Sequence, residues 1–239
     1  MENKQKVFVI GDVHGDFKGL GVILKFLTQN NHTDKNDVLI VAGDCGFVWT
    51  DSNSERKERK HLCSFPITIM VVLGNHENYD IIEKFETTYK YGAECYKDNS
   101  SDIYYIKNGE VLTIGDKRIW TYGGGLSIDK DYRLHYDEIE KTKTWFEQEI
   151  DFSRFEKAKE NFKNIDFIVT HDVPNSCFEY LLKKLKLLDM RCEMQEKLEE
   201  IEQLGEYKKW YSGHYHPRMI EEWEKHIILP VLRWVEMKE

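Results

Sequence analysis

The sequence predicts an α/β domain built around two sheets. Short apolar runs rich in Val and Ile alternate with helical-period segments through the first half. The middle section and the tail read as short strands separated by turn signals. No repeat, low-complexity segment or Pro/Gly/Ser linker interrupts the 239 residues. With 41% hydrophobic and 13% aromatic residues, the chain has enough apolar surface for one sizeable core. The expectation is one domain over residues 1–239, with a helical insertion at about 176–204.

Lys6–Ile10 is a short apolar strand, and Phe17–Gln29 places Phe17, Leu20, Ile23, Leu24 and Leu27 at helical spacing. Asp37–Ala42 is a second buried strand, Ser54–Phe65 a charged helix, and Ile67–Leu73 a third strand. Ile103–Ile106, Val111–Ile114 and Arg118–Tyr122 are short strands, and Gly115-Asp116 is a hairpin turn between the last two. A helix around Thr144–Lys159, a strand Ile165–Thr170 and a long helical stretch Ser176–Leu204 come next. Asp189 is a candidate cap that would divide this stretch into two helices. The tail is strand again: Tyr207–Tyr211, Met219–Glu222, His226–Leu229 and Leu232–Val235.

Charge and composition exclude several function classes. A net charge of −9 speaks against broad adhesion to nucleic acid or anionic lipid. An acidic substrate stays open, because bound metal ions reverse the sign of the potential in a cleft. No apolar run approaches the roughly 20 residues of a membrane helix. Val7–Ile10 is too short for the core of a secretory signal. The five cysteines (Cys45, Cys63, Cys95, Cys177 and Cys192) are scattered without metal or redox spacing. Reduced thiols in the cytoplasm are the expectation.

The residues just past each buried strand are more informative. Val7–Ile10 leads into Gly11-Asp12-Val13-His14-Gly15, Val38–Ala42 into Gly43-Asp44-Cys45-Gly46, and Ile67–Leu73 into Gly74-Asn75-His76-Glu77. Ile165–Thr170 leads into His171, and Tyr207–Tyr211 is followed by Gly213-His214-Tyr215-His216. Residues at the carboxyl ends of parallel strands converge on one crevice. Each piece alone is an ordinary turn; together they form a metal site by chemistry. Imidazole, carboxylate and amide oxygen suit Mn, Fe, Zn or Co, whereas a calcium site would not take four imidazoles. Asp12, His14, Asp44, Asn75, His171, His214 and His216 are too many for one ion and about right for two sharing a carboxylate.

These five blocks resemble the signature blocks of the calcineurin-like metallophosphoesterases, over residues 7–217. The resemblance implies a four-layer α/β/β/α sandwich of two mixed sheets with flanking helices. It also implies hydrolysis of a phosphate ester by hydroxide held between two divalent ions, Mn2+ first, with Fe or Zn as alternatives. Asp12, His14, Asp44 and His216 would hold one ion. Asp44, Asn75, His171 and His214 would hold the other, with Asp44 bridging. His76 matches the histidine that faces the leaving group and is the candidate general acid; the competing role is structural. Glu77 is read as a tether of its loop.

One departure matters. Protein serine/threonine phosphatases carry an aspartate three places after the bridging one and then an arginine; Phe47 and Val48 stand there. The chain therefore looks more like the small stand-alone bacterial or phage members, and leans toward a diesterase or a broad phosphatase. Arg133 is a candidate replacement for the phosphate-gripping arginine, against a solvated loop charge. Gly123–Gly125 is read either as a phosphate-approaching loop or as a tight turn. The 176–204 helices are read as core-facing first, and as a dimer face or lid second. His32, His61, His135 and His226 are expected at the surface. The expected partner is a small-molecule phosphate ester, with neither membrane nor nucleic acid. The alternative function is a non-catalytic scaffold of the same fold.

Overall fold

β1 (Val7–Ile10) leads through α1 (Phe17–Asn31) to β2 (Val38–Ala42), and α2 (Asn53–Leu62) carries the chain on to β3 (Thr68–Val72). These connections are right for parallel strands, which need a crossover rather than a hairpin. Asp16 starts α1 by accepting the Gly19 N–H at 2.8 Å, and Ser52 caps α2 in the same way through Glu55. A single turn, α3 (Tyr79–Ile82), precedes the hairpin of β4 (Glu86–Lys90) and β5 (Ala93–Lys97), and β6 (Ile103–Ile106) returns beside β3. β7 (Val111–Ile114) and β8 (Lys117–Tyr122) open the second sheet, followed by α4 (Lys130–Glu140) and α5 (Phe155–Asn161). β9 (Phe167–Thr170), α6 (Asn175–Leu185), α7 (Glu193–Glu202) and β10 (Lys209–Ser212) come next. β11 (Glu221–Trp223), β12 (His226–Ile228) and β13 (Trp234–Glu236) complete the chain. The structure, a computed structural model, describes residues 5–238.

The first sheet runs β13-β1-β2-β3-β6-β5-β4 and the second β11-β12-β10-β9-β8-β7. Each has four parallel strands at its centre (β1, β2, β3 and β6; β12, β10, β9 and β8) and antiparallel strands at its edges. Both are mixed sheets, as the sequence predicts.

Side-chain alternation sorts the core into three layers of contact, which makes four layers of structure. Phe8 and Ile10 of β1 face Leu20, Leu24 and Leu27 of α1, while Val7 and Val9 face the second sheet, against Phe167, Val169 and Tyr211. On the far side, Trp120, Ile168 and Trp210 pack against Phe155 of α5 and Met194, Leu198 and Ile201 of α7. Strands covered on both faces carry apolar residues at every position, which is why they read as continuous runs. Truncating one of these side chains, as in Leu24→Ala, costs about 2–5 kcal/mol.

Three expectations need correction. The helix expected at Thr144–Lys159 is a 3-10 turn at Glu147–Glu149 followed by the short α5. Phe146 is extended instead, and is buried against Trp49 and Tyr79, while the Asp137 carboxylate takes the Thr144 N–H. The helix of this region lies earlier, as α4. Its sequence does not announce it, because Tyr132, Leu134, Tyr136 and Ile139 stay exposed on it and no single apolar stripe forms. The 176–204 stretch is two helices, but Asp189 caps neither. It pairs with Arg191, and Gln195 reaches back to the Cys192 N–H to start α7. His226 is not at the surface: it is 1% exposed and bonds Glu202.

Candidate metal centre

The loops after β1, β2, β3, β9 and β10 meet at one end of the paired sheets, and their backbones are tied together. The Asp44 carbonyl accepts the Val13 and His14 N–H groups at 3.0 and 2.8 Å, and the His171 carbonyl accepts Gly213 N–H at 3.2 Å. Two glycines make the approach feasible. A Cβ on Gly43 would stand 2.0 Å from His171 Nδ1, and one on Gly213 would stand 2.2 Å from Asp12 Oδ1. Outside glycine, His14, Asp44, His214 and His216 all hold positive φ, between 44° and 68°. Such backbone persists only where surrounding contacts over-determine it, and it clusters at functional sites.

All seven residues expected as ligands converge here. Asp12, fully buried, lies 2.7 Å from His216 Nε2 and 3.6 Å from His14 Nε2. Asp44 lies 3.4 Å from His171 Nε2 and 4.0 Å from His14 Nδ1. His171 Nε2 also meets Asn75 Oδ1 at 2.8 Å, and the His171 and His214 rings are 4.8 Å apart. Asp12, His14 and His216 form one group able to hold an ion, and Asp12, Asp44 and His171 form another, so Asp12 is common to both. His171 Nδ1 faces the Ala42 carbonyl at 2.9 Å, which assigns its proton there and frees Nε2 for a metal.

The electrostatics fit a divalent cation. Burial alone pushes the Asp12 carboxyl up, but the hydrogen bond to His216 and the His171 charge outweigh it and hold the group at about 2. Burial depresses His171, and the Asp44 and Asp12 charges overcome it, so its pKa rises. The bond to Asp12 raises His216, whereas burial and the His171 charge depress His214. The two buried carboxylates thus favour positive charge on His171 and His216, while burial depresses His14 as it does His214. A bound metal ion would answer the same field and displace those protons.

His76 stands beside this set rather than within it. Its N–H donates to Asp44 Oδ1 at 2.7 Å and its ring lies 5.7 Å from His14, half-buried and open to the cleft. Glu77 is fully buried; its carboxylate accepts the Cys45 N–H at 2.7 Å and the thiol of Cys45, so it does tether the loops after β2 and β3. Burial, then the Asp44 charge, raises its pKa to about 8.

Arg133 is neither a loop residue nor solvated. It sits on α4, 5% exposed, and its Nη1 donates to Ser127 Oγ at 3.1 Å. Ser127 also accepts from Asn75 Nδ2 at 2.9 Å and donates to Glu149 at 2.5 Å, so Arg133 touches the centre only through Ser127 and Asn75. Gly123–Gly125 is packed tight: a Cβ on Gly123 or Gly124 would meet the Leu73 or Glu149 carbonyl at 2.3 or 2.4 Å. Phe47 and Val48 are fully buried core residues.

Sequence reasoning missed a second set. Asp172 accepts a hydrogen bond from the Tyr215 hydroxyl, and Gln195 of α7 donates to that hydroxyl at 3.1 Å. The chain of contacts ties α7 to the loops that carry His171, His214 and His216. Asp172 and Tyr215 adjoin those histidines in the sequence, but nothing there paired them with residue 195.

The family model for calcineurin-like phosphoesterases matches residues 5–218. No curated protein is a significant match. Among solved structures, the crystal structure of a protein of unknown function, AQ665 from Aquifex aeolicus, is similar at 14% identity. The match covers 74% of this chain and 86% of that one, with a TM-score of 0.34. A match over nearly the whole chain, on the loops that bring these donors together, gives the family outright: the chain belongs to the calcineurin-like phosphoesterases.

Proposed function

We propose that this chain is a hydrolase of small phosphate esters, acting with two divalent metal ions, Mn2+ first and Fe or Zn as alternatives. The observation that carries the reading is the convergence of seven oxygen and nitrogen donors from five strand ends, four of which (Asp44, Asn75, His214 and His216) line one cleft, with His76 beside them. Asp12, His14, Asp44 and His216 would hold one ion, and Asp44, Asn75, His171 and His214 the other. Asp44 would be shared between the ions in this assignment; the presence of Asp12 in both close groups makes it the competitor for that place. The bound ions would supply positive charge to the phosphoryl oxygens and lower the pKa of water.

The chain's own residues do the rest. His76, anchored by its N–H on Asp44, would donate a proton to the leaving oxygen. Ser127 would orient Asn75, and Arg133 and Glu149 would fix Ser127. Arg133 Nη2, buried beside the smaller cleft, has no hydrogen-bond partner among the described residues and would take a substrate oxygen there. We take the chain as one domain, with α6 and α7 as a helical insertion walling the cleft, and place it in the cytoplasm. Metal analysis of anaerobically purified protein, followed by p-nitrophenyl phosphate and its bis-ester with added Mn2+, tests the reading. Metal-loaded protein that turns over neither ester nor any of a panel of cyclic nucleotides and dinucleoside polyphosphates would refute it.

A further inference from the structure

Two clefts meet at His76. The larger, about 590 Å³, has Asp44, Asn75, His214 and His216 on its floor, and its walls include Ile128, Phe178, Leu187, Leu188 and Met190. Ile128 and Leu188 are left 73% and 76% exposed. Large aliphatic side chains turned into one cavity offer apolar surface that a ligand group can cover. The smaller cleft, about 260 Å³, lies among Trp49, Tyr132, Arg133, Tyr136 and Thr144. It includes none of the seven candidate ligands, and among the described residues only His76 and Asp129 line both clefts. Its character also differs. The Tyr132 and Tyr136 rings stack at 6.4 Å, and buried Arg133 has an Nη2 without a hydrogen-bond partner.

A monoester carries one organic group and fills one cleft; a phosphorus with a group in each is a diester. We propose that the substrate is a phosphodiester with two unlike organic groups. An apolar group is retained in the large cleft. A flat leaving alcohol, bearing an oxygen for Arg133, occupies the small one. Water's oxygen bonds to phosphorus as the bond to the leaving oxygen breaks. That oxygen takes its proton from His76, and a proton released by the water restores the histidine. The products are a monoester and an alcohol. The proposal rests on the phosphoesterase reading above.

Phosphinates test it without turnover, because they keep the single anionic charge of a diester and have no ester bond to break. Dimethyl-, methyl(phenyl)- and diphenylphosphinate are titrated calorimetrically into the Mn2+-loaded protein. Each phenyl group is expected to tighten binding by about tenfold, since covering an aromatic ring is worth at least that factor. In I128S/L188S and in Y132A/Y136A, the diphenyl-to-dimethyl ratio should each fall by about tenfold, and the losses should add. Diphenylphosphinate binding no tighter than methyl(phenyl)phosphinate overturns the proposal, and this comparison needs only the wild-type protein. A two-step ladder without hydrolysis of any ester overturns the hydrolase reading and leaves the two clefts standing. Hydrolysis with a flat ladder does the reverse.

Discussion

The floor of the site and its walls are built by different rules. The floor lies on loops following central parallel strands, with backbone bonds between loops and side chains fixed by buried partners. The walls come from the 126–129 segment, α4 and the 186–192 linker between α6 and α7, where large apolar side chains remain exposed. The proposed metal donors are held by two sheets at once; the groups proposed to select among ligands ride on segments with few such ties. On this reading chemistry and selectivity are separable, and substitutions should sort accordingly.

The largest effect is expected at Asp44. Asp44→Asn removes a negative charge from between two proposed cations and should reduce turnover at least ~10³-fold, with the greatest loss of bound metal of any floor substitution. Metal analysis of wild type, Asp44→Asn and Asp12→Asn side by side settles which carboxylate bridges. Equal occupancy in wild type and Asp44→Asn would hand the role to Asp12.

His76→Asn comes next. Turnover should fall about 10²–10⁴-fold on esters with poor leaving groups while metal content stays near normal. The defect should shrink on p-nitrophenyl esters, whose phenolate departs unaided. Loss of metal instead would move His76 into the floor set.

Ser127→Ala probes the seam between floor and wall. Freed from Ser127, Asn75 should lose orientation, and affinity for one metal should drop about 10–100-fold. Leu188→Ser, a wall substitution, should leave metal affinity in place. If the two variants bind metal alike, Ser127 belongs to the wall.

The smallest effect lies far from the cleft, where Glu202 bonds His226 and Tyr207. Burial raises this carboxyl, but the bonds from His226 and Tyr207 more than offset it and leave its pKa lowered. A lowered folded value contributes stability above the ordinary glutamate range and loses it as pH falls through the folded value. Glu202→Gln should cost about 1–2 kcal/mol at pH 7, and the gap should close in acid. Thermal melts of both proteins from pH 7 to pH 3 check this; a gap that widens in acid would reverse the sign.

Strands buried on both faces were legible because continuous Val and Ile runs ending in glycine have few other readings. Asp12, His14, Asp44 and Asn75 were legible for the same reason. His171 follows its run without a glycine, and His214 and His216 follow a strand without Val or Ile, so those were legible only together with the other blocks. β4 and β5 were not, since Glu86, Thr87 and Tyr89 face solvent at a sheet edge and give no alternating apolar face. α4 hid behind its exposed apolar residues, and Trp145, Phe146 and Ile150 imitated a helix at a position where Phe146 is extended. The Asn75–Ser127, Ser127–Glu149 and Gln195–Tyr215 bonds span 52, 22 and 20 places in the sequence. Hydrogen bonds across such separations leave no trace in local spacing.

The left-handed backbone at His14, Asp44, His214 and His216 has a consequence for how this protein can change over time. Each such non-glycine residue carries a conformational cost of order 1 kcal/mol. Glycine at any of the four would relieve it while discarding a donor. At Asp44 and His216 it would also discard the bonds to the His76 N–H and to Asp12, so the strain weighs most against His14 and His214, where selection for heat tolerance alone gives the proposed centre least protection. Retention of all four residues is a signature of lineages in which the chemistry, and not merely the fold, is being kept.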